Sequence, residues 1–179
     1  MSRLQFHGRL FEPYLLKSEI DIKVQLLADK LNELYSSEDP PLILGILNGS
    51  FIFMADLIRL LKFDCTVQFI RIESYQGLQT TGVVKMESDV SKKWSGQHVI
   101  VIEDIVDTGH TLNRFVPVLL SYQPKSIFVS SLLFKQEALE VEVRIDHYCF
   151  NIPKYFVVGY GLDFDGLGRN LKEIYRLVD

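Results

Sequence analysis

Apolar residues recur along this chain in two periods, and their alternation predicts the class of fold. Ile20, Val24, Leu27, Leu31 and Leu34 repeat every three to four positions, the spacing of one helix face. Ser18, with Asp21 three residues on, is the expected N-cap, and the apolar stripe is expected to cover an outer face of a sheet. After Pro40-Pro41 the helical period disappears. Leu42 to Leu47 is continuously apolar, as a strand buried on both faces requires. Asn48-Gly49-Ser50 interrupts it, and Phe51 to Leu61 reads as the next helix.

Val67 to Ile72 and Val99 to Ile102 are two more strand-like runs. Between them, Glu73 to Gly82 is rich in Ser, Gly, Thr and Gln and is expected to be a mobile loop. Leu112 to Leu120 predicts a helix that Pro117 should kink, and Ile127 to Leu133 another buried strand. Strands alternating with helices give an α/β fold with a parallel sheet. The last third changes character: Tyr148-Cys149-Phe150, Phe156 to Tyr160 and Ile174 to Val178 are short aromatic runs separated by turns. Some of these, with the N-terminal residues, are expected to form a small lobe over the sheet edge. No internal repeat or low-complexity tract appears.

At 179 residues the chain suits one compact domain with a sizeable core. The expected core spans about 36–145, with a hood from about 1–17 and parts of 146–179. Apolar residues at 47% and charged residues at 23% match ordinary globular usage and exclude disordered and fibrous classes. A net charge of -4, with no basic run beyond pairs such as Lys92-Lys93, argues against nucleic acid as the main ligand. An anionic small molecule remains compatible, since oriented backbone N–H groups and a metal ion can hold one locally. Cys65 and Cys149 lie in apolar or aromatic stretches and read as reduced and buried. Met1 to His7 lacks the apolar run of a signal peptide, and no stretch approaches the ~20 apolar residues of a membrane span. No membrane partner is expected, and the cytoplasm is the expected compartment.

The segment richest in chemistry is Val99-Ile100-Val101-Ile102-Glu103-Asp104-Ile105-Val106-Asp107-Thr108-Gly109-His110-Thr111. An apolar strand runs into two adjacent acids, then a third, then a Thr-Gly-x-Thr turn that opens a helix. In an open α/β sheet ligands bind beyond the carboxyl ends of the strands, which is where these acids fall. Thr108 and Thr111 offer hydroxyls, and Gly109 lets the backbone approach an anion at the helix N-terminus. The loop suits a phosphate monoester. It lacks the Gly-Lys-Ser/Thr ending of a nucleoside-triphosphate loop and the Gly-x-Gly-x-x-Gly dinucleotide pattern. Acids beside a phosphate repel it unless they address something else, so they imply a ribose, a magnesium ion, or both. The plainer reading is that Asp104 and Asp107 only cap the following helix.

This motif resembles the phosphoribosyl-pyrophosphate signature of the type I phosphoribosyltransferases, and the chain around it, from about 40 to 170, resembles their hypoxanthine-guanine branch. The resemblance implies a parallel sheet flanked by helices, with a small hood formed by N- and C-terminal segments. It places Glu103 and Asp104 against the ribose hydroxyls and the metal-bound ligand, and Asp107 near N7 of the purine as general base. Thr108, Gly109, His110 and Thr111 then hold the 5′-phosphate, His110 standing where relatives often carry Lys or Arg. A regulatory member of the fold family has tyrosine in place of Asp107, so this residue favours an enzyme.

Three further segments agree with the family in order. Leu47-Asn48-Gly49 resembles its pyrophosphate loop, which often contains a non-proline cis peptide; a basic residue is common where this chain has Asn48. Ser74-Tyr75 resembles the closing loop that excludes water from the site. Lys135 corresponds to the lysine that donates to the purine 6-oxo group, Phe156 to the aromatic stacked on the base, and Val157 to the residue whose backbone reads its pyrimidine edge. Asp163 corresponds to a ligand of a second magnesium, through water, near the purine, and Arg169 to a pyrophosphate contact. By residue type alone, Phe156 reads equally well as core and Lys135 or Arg169 as surface charge. His7, His98 and His147 lack metal-ligand spacing and read as structural.

The resemblance thus implies a magnesium-dependent transfer of phosphoribose from phosphoribosyl pyrophosphate to N9 of hypoxanthine or guanine in purine salvage, with Glu103, Asp104 and Asp163 toward the metal. It also implies a homodimer or homotetramer. A xanthine-preferring enzyme on the same scaffold and a nucleotide-sensing regulator without turnover are the rival expectations.

Overall fold

The computed structural model describes residues 3–72 and 94–178. The expected closing loop, with Ser74 and Tyr75, lies outside the described residues. In chain order the elements begin with β1 (Leu4–Phe6), β2 (Arg9–Leu15), α1 (Lys17–Leu34), β3 (Leu42–Leu47), α2 (Phe51–Ile58) and β4 (Thr66–Arg71). They continue with β5 (His98–Val106), α3 (His110–Ser121), β6 (Ser126–Phe134), β7 (His147–Asn151), β8 (Val157–Val158) and β9 (Ile174–Val178).

Five strands form a parallel sheet in the order β4-β3-β5-β6-β7. The chain steps from β3 outward to β4, then back across β3 to β5 and onward, so the direction of winding reverses between β3 and β5. That reversal opens a crevice at the carboxyl ends of these two strands. Both faces of the sheet are covered, which explains the unbroken apolar runs. Ile43, Ile100, Ile102 and Leu132 pack with Val24, Leu27 and Leu31 of α1 and Phe53, Met54 and Leu57 of α2. Leu42, Leu44, Val99, Val101 and Val129 pack with Leu112, Phe115 and Leu119 of α3 and with Trp94.

The smaller sheet, β1-β2-β9-β8, is antiparallel throughout and draws on both ends of the chain. Phe11, Val158 and Tyr175 form its own small core. This is the expected hood. Tyr148-Cys149-Phe150, however, belongs to β7 and closes the edge of the five-stranded sheet through pairs such as Leu133↔Phe150.

Local expectations need three corrections. The helix α1 starts at Lys17, and it is Glu19 whose carboxylate accepts the Leu16 N–H at 2.8 Å; Ser18 lies inside the first turn. The strand β5 continues past Ile102 through both acids to Val106, because pairing with β6 persists to Val106↔Phe134. The helix α2 stops at Ile58 rather than Leu61. Helix α3 runs as one element through Pro117. Cys149 is buried as expected, whereas Cys65 is only half-buried, and both thiols are free.

Candidate active site

Two loops meet at the crevice. The first follows β3, where the Leu47–Asn48 peptide is cis and Gly49 leads into α2. A Cβ on Gly49 would sit 1.3 Å from Asp104 Oδ2, so only glycine allows the loop this close to the acid. On its other side the Gly49 carbonyl abuts Gly161, whose own Cβ would lie 2.1 Å from that oxygen. Three segments far apart in sequence therefore meet here: the Gly49 backbone lies against the Asp104 side chain of β5 and against the Gly161 backbone after β8. Asn48 accepts a hydrogen bond from Arg71 at 3.1 Å, so β4 supplies the basic group where relatives often have one on the loop itself.

The second loop follows β5. Glu103, Ile105, Val106, Asp107, Thr108, Gly109, Thr111 and Leu112 line a small cavity of about 80 Å³ at the N-terminus of α3. Gly109 caps that helix with φ +88°, and a Cβ there would come within 2.7 Å of Val143 Cγ1. Its missing side chain thus serves both the turn and the packing. Thr108 and Thr111 both line this concavity at the helix N-terminus, a setting suited to a phosphate. His110 does not line it; its Nε2 lies 2.9 Å from Glu140 Oε2.

At the head of this loop Glu103 is buried and Asp104 partly buried, and among the described residues neither has a cationic side chain in contact. Glu103 is 7% exposed, and its Oε2 has no hydrogen-bond partner. Burial, reinforced by the Asp104 charge, pushes its carboxyl well above the usual range. Asp104 is pushed up to about 6 by burial, against the opposing pull of the Ile105 N–H, which donates to Oδ1 at 2.8 Å, and of Arg169. Two desolvated carboxylates side by side are costly unless a ligand neutralises them. The helix-cap reading fails for Asp104, whose recorded backbone bond is to its own neighbour within β5.

Asp107 is paired differently. Lys135 Nζ donates to its Oδ2 at 2.6 Å, with the lysine side chain 9% exposed and the aspartate 48%. Lys135 is therefore no surface charge: it is buried at the end of β6 and delivers one ammonium beside the acid.

The hood supplies the rest. Phe156 precedes β8 and is 45% exposed, edge-on to Phe164 at 5.4 Å, which does not fit a core residue. Val157 is buried and pairs with Arg176. Asp163 and Arg169 pair with each other at 2.7 Å; Asp163 Oδ2 also accepts the Gly166 N–H, and Arg169 also donates to the Gly161 carbonyl at 2.8 Å. With both Asp163 oxygens engaged, Glu103, Asp104 and Asp163 do not form a three-carboxylate cage, and no such metal set occurs among the described residues. Sequence reasoning missed Arg71, Gly161 and Tyr160. Only the Gly159-Tyr160-Gly161 spacing hinted at a tight backbone approach.

The comparisons agree with this geometry. Residues 15–165 match the phosphoribosyl transferase domain family. The chain is 35% identical over 176 residues to a hypoxanthine-guanine phosphoribosyltransferase of Aquifex aeolicus, covering 98% of this chain and 99% of that one. It is 36% identical over 169 residues to the hypoxanthine phosphoribosyltransferase of Escherichia coli, covering 93% and 95%. In structure it matches a hypoxanthine phosphoribosyltransferase from Staphylococcus aureus with a TM-score of 0.85 at 32% identity, covering 93% and 91%. The chain belongs to the phosphoribosyltransferase family, on its hypoxanthine-guanine branch.

Proposed function

We propose that this enzyme transfers the phosphoribosyl group of phosphoribosyl pyrophosphate to N9 of hypoxanthine or guanine, forming the nucleoside monophosphate and pyrophosphate. The observation that carries the reading is the adjacent pair of buried Glu103 and partly buried Asp104, without cationic contacts among the described residues, beside a phosphate-sized cavity and a backbone loop that touches Asp104. Family membership supports the reaction class, and the named relatives support the bases.

The residues divide the work. Thr108, Gly109 and Thr111 hold the 5′-phosphate at the α3 N-terminus, with His110 at the rim. Glu103 and Asp104 orient the ribose hydroxyls. Asn48 and Gly49 present backbone to the pyrophosphate, and Arg169 offsets its charge as the C1′–oxygen bond breaks. Phe156 stacks on the base, the Val157 backbone reads its edge, and Lys135 donates to the 6-oxo group. As N9 bonds to C1′, Asp107 takes the proton from N7. Holding the reactants aligned while charge develops supplies most of the acceleration. Ser74 and Tyr75 belong to the same reading as closing-loop residues.

Magnesium fits the donor set. Among the described residues the Glu103 and Asp104 carboxylates lack cationic contacts, and magnesium is typically held by one or two carboxylates together with substrate oxygens and water. When bound, it would supply positive charge opposite the pyrophosphate. Asp163 adds a carboxylate at second remove. Among the described residues no helix is long and apolar enough to cross a membrane, and we place the protein in the cytoplasm. Exposed Ile22 and Leu26 on α1, with Val67 and Phe69 on β4, support assembly as a homodimer or homotetramer.

Pyrophosphate release by the purified protein tests this function. With hypoxanthine or guanine, phosphoribosyl pyrophosphate and magnesium, turnover is expected, and excess chelator should abolish it. Tight nucleotide binding with no pyrophosphate release would instead identify a regulator.

A further inference from the structure

The fold holds a second carboxylate whose role is unlike that of Asp104. Asp56 sits on α2, the helix that springs directly from the Asn48–Gly49 loop. Tyr160, 1% exposed, donates its hydroxyl to Asp56 Oδ2 at 2.7 Å. Lys17 and Arg59 pair with the same carboxylate, and the Lys17 ammonium stands 5.5 Å from the centre of the Tyr160 ring. Tyr160 has φ +50°, a left-handed conformation uncommon for a tyrosine, between Gly159 and Gly161 at φ +106° and +105°. Such a conformation persists when surroundings over-determine it. Here the hydroxyl is anchored by Asp56 and the backbone N–H by the Leu171 carbonyl at 2.9 Å.

The neighbouring residue is Gly161, which abuts the Gly49 carbonyl and whose own carbonyl receives Arg169. We propose that the Tyr160–Asp56 hydrogen bond is a clamp that positions the 161–169 segment, carrying Asp163 and Arg169, against the Asn48–Gly49 loop. Tyr160 and Asp56 are positioning residues: neither touches the reacting atoms. The clamp acts mainly on the pyrophosphate side of the site, although its segment also reaches the base side through Phe164, edge-on to Phe156 at 5.4 Å. On the base side, β8 is held independently through the pairs Val157↔Arg176 and Val158↔Tyr175. On the pyrophosphate side, the backbone hydrogen bonds of the segment from Gly161 to Arg169 are, among the described residues, turn bonds within 159–171; Leu162 packs into the main core and Phe164 into the hood, and the Tyr160 hydroxyl is the hydrogen bond that ties the stretch to α2. Loosening the clamp therefore weakens the phosphoribosyl pyrophosphate subsite more than the base subsite, which keeps the β8–β9 pairing.

This inference rests on the proposed reaction, and steady-state kinetics separates the two. Tyr160→Phe keeps the buried ring and removes only the hydroxyl; Asp56→Asn keeps an acceptor for Tyr160 but weakens the ion pairs. In Tyr160→Phe the KM for phosphoribosyl pyrophosphate should rise about 10-fold, the scale of one hydrogen bond to a charged group. The KM for hypoxanthine and kcat should each stay within about threefold, on the ground that subsites with independent supports respond separately. Asp56→Asn should show a smaller rise, and the double variant should add little to Tyr160→Phe. An unchanged phosphoribosyl pyrophosphate KM, or equal rises for both substrates, would overturn the clamp while leaving the reaction intact. Failure of the wild type to turn over would sink both.

Discussion

Two partly buried carboxylates, Asp104 of β5 and Asp56 of α2, have been driven in opposite directions. Burial acts on both. At Asp104 it wins, and the carboxyl is pushed up to about 6. At Asp56 burial is outweighed by the Tyr160 hydroxyl, Lys17 and Arg59, and the carboxyl is held below its ordinary value. The same hydrogen bond, after burial, raises the Tyr160 phenol. An acid supplied with partners by the fold holds segments together. An acid denied them is stable only when something external arrives, and here that acid sits at the carboxyl end of β5 beside a phosphate-sized cavity. Glu103, with an unpartnered oxygen, extends the second class.

The largest effect expected from this division falls at Lys135, a buried cation whose present partner is Asp107. It has donors and no acceptor, so a 6-oxo group can satisfy it and the 6-amino group of adenine cannot. Adenine should be poorer than hypoxanthine by about 10⁴–10⁵ in kcat/KM, the range for a site left with an unpaired polar group. Lys135→Gln, able to present either a donor or an acceptor, should narrow that gap. Comparable wild-type values for the two bases would remove Lys135 from base recognition.

Next comes Asp107→Asn, which should slow single-turnover chemistry by roughly 10²–10⁴-fold while nucleotide binding changes less. Near-wild-type turnover would return Asp107 to a merely structural role. A smaller effect, on stability, belongs to Asp56→Asn: losing the charge that Lys17 and Arg59 address should lower unfolding stability by about 1–2 kcal/mol, read by denaturant titration. No change would show that Asp56 is not held as its contacts suggest.

The sequence revealed the two classes unequally. The run Leu42–Leu47 was legible to the residue, because a strand buried on both faces has only one way to look. The span of β5 through Glu103 and Asp104 was not, since polar residues hide a strand whose continuation depends on its register with β6. The ligand-facing acids were nevertheless conspicuous, as adjacent charges at the end of an apolar run. The clamp was invisible: Tyr160 and Asp56 are 104 positions apart, and each alone reads as ordinary core or surface. The edge strand β7 was obscure for a related reason, its short aromatic run resembling the hood strands that follow it.

The central claim is that Asp104 is kept, at a cost, without a cationic side chain in contact among the described residues, for a ligand. Its folded-state value of about 6 lies above the unfolded value of 3.8, so the folded protein binds the extra proton. Stability from this group is intact below about pH 4, declines as pH rises toward 6, and is fully lost by pH 8. Thermal unfolding of the wild type and Asp104→Asn at pH 8, first in chelator and then with magnesium and phosphoribosyl pyrophosphate, measures that cost. The account predicts that the empty variant is more stable than the wild type, by roughly 1–3 kcal/mol, and gains less when the ligands are added. A variant that is less stable when empty, or that gains as much from the ligands as the wild type, would contradict it.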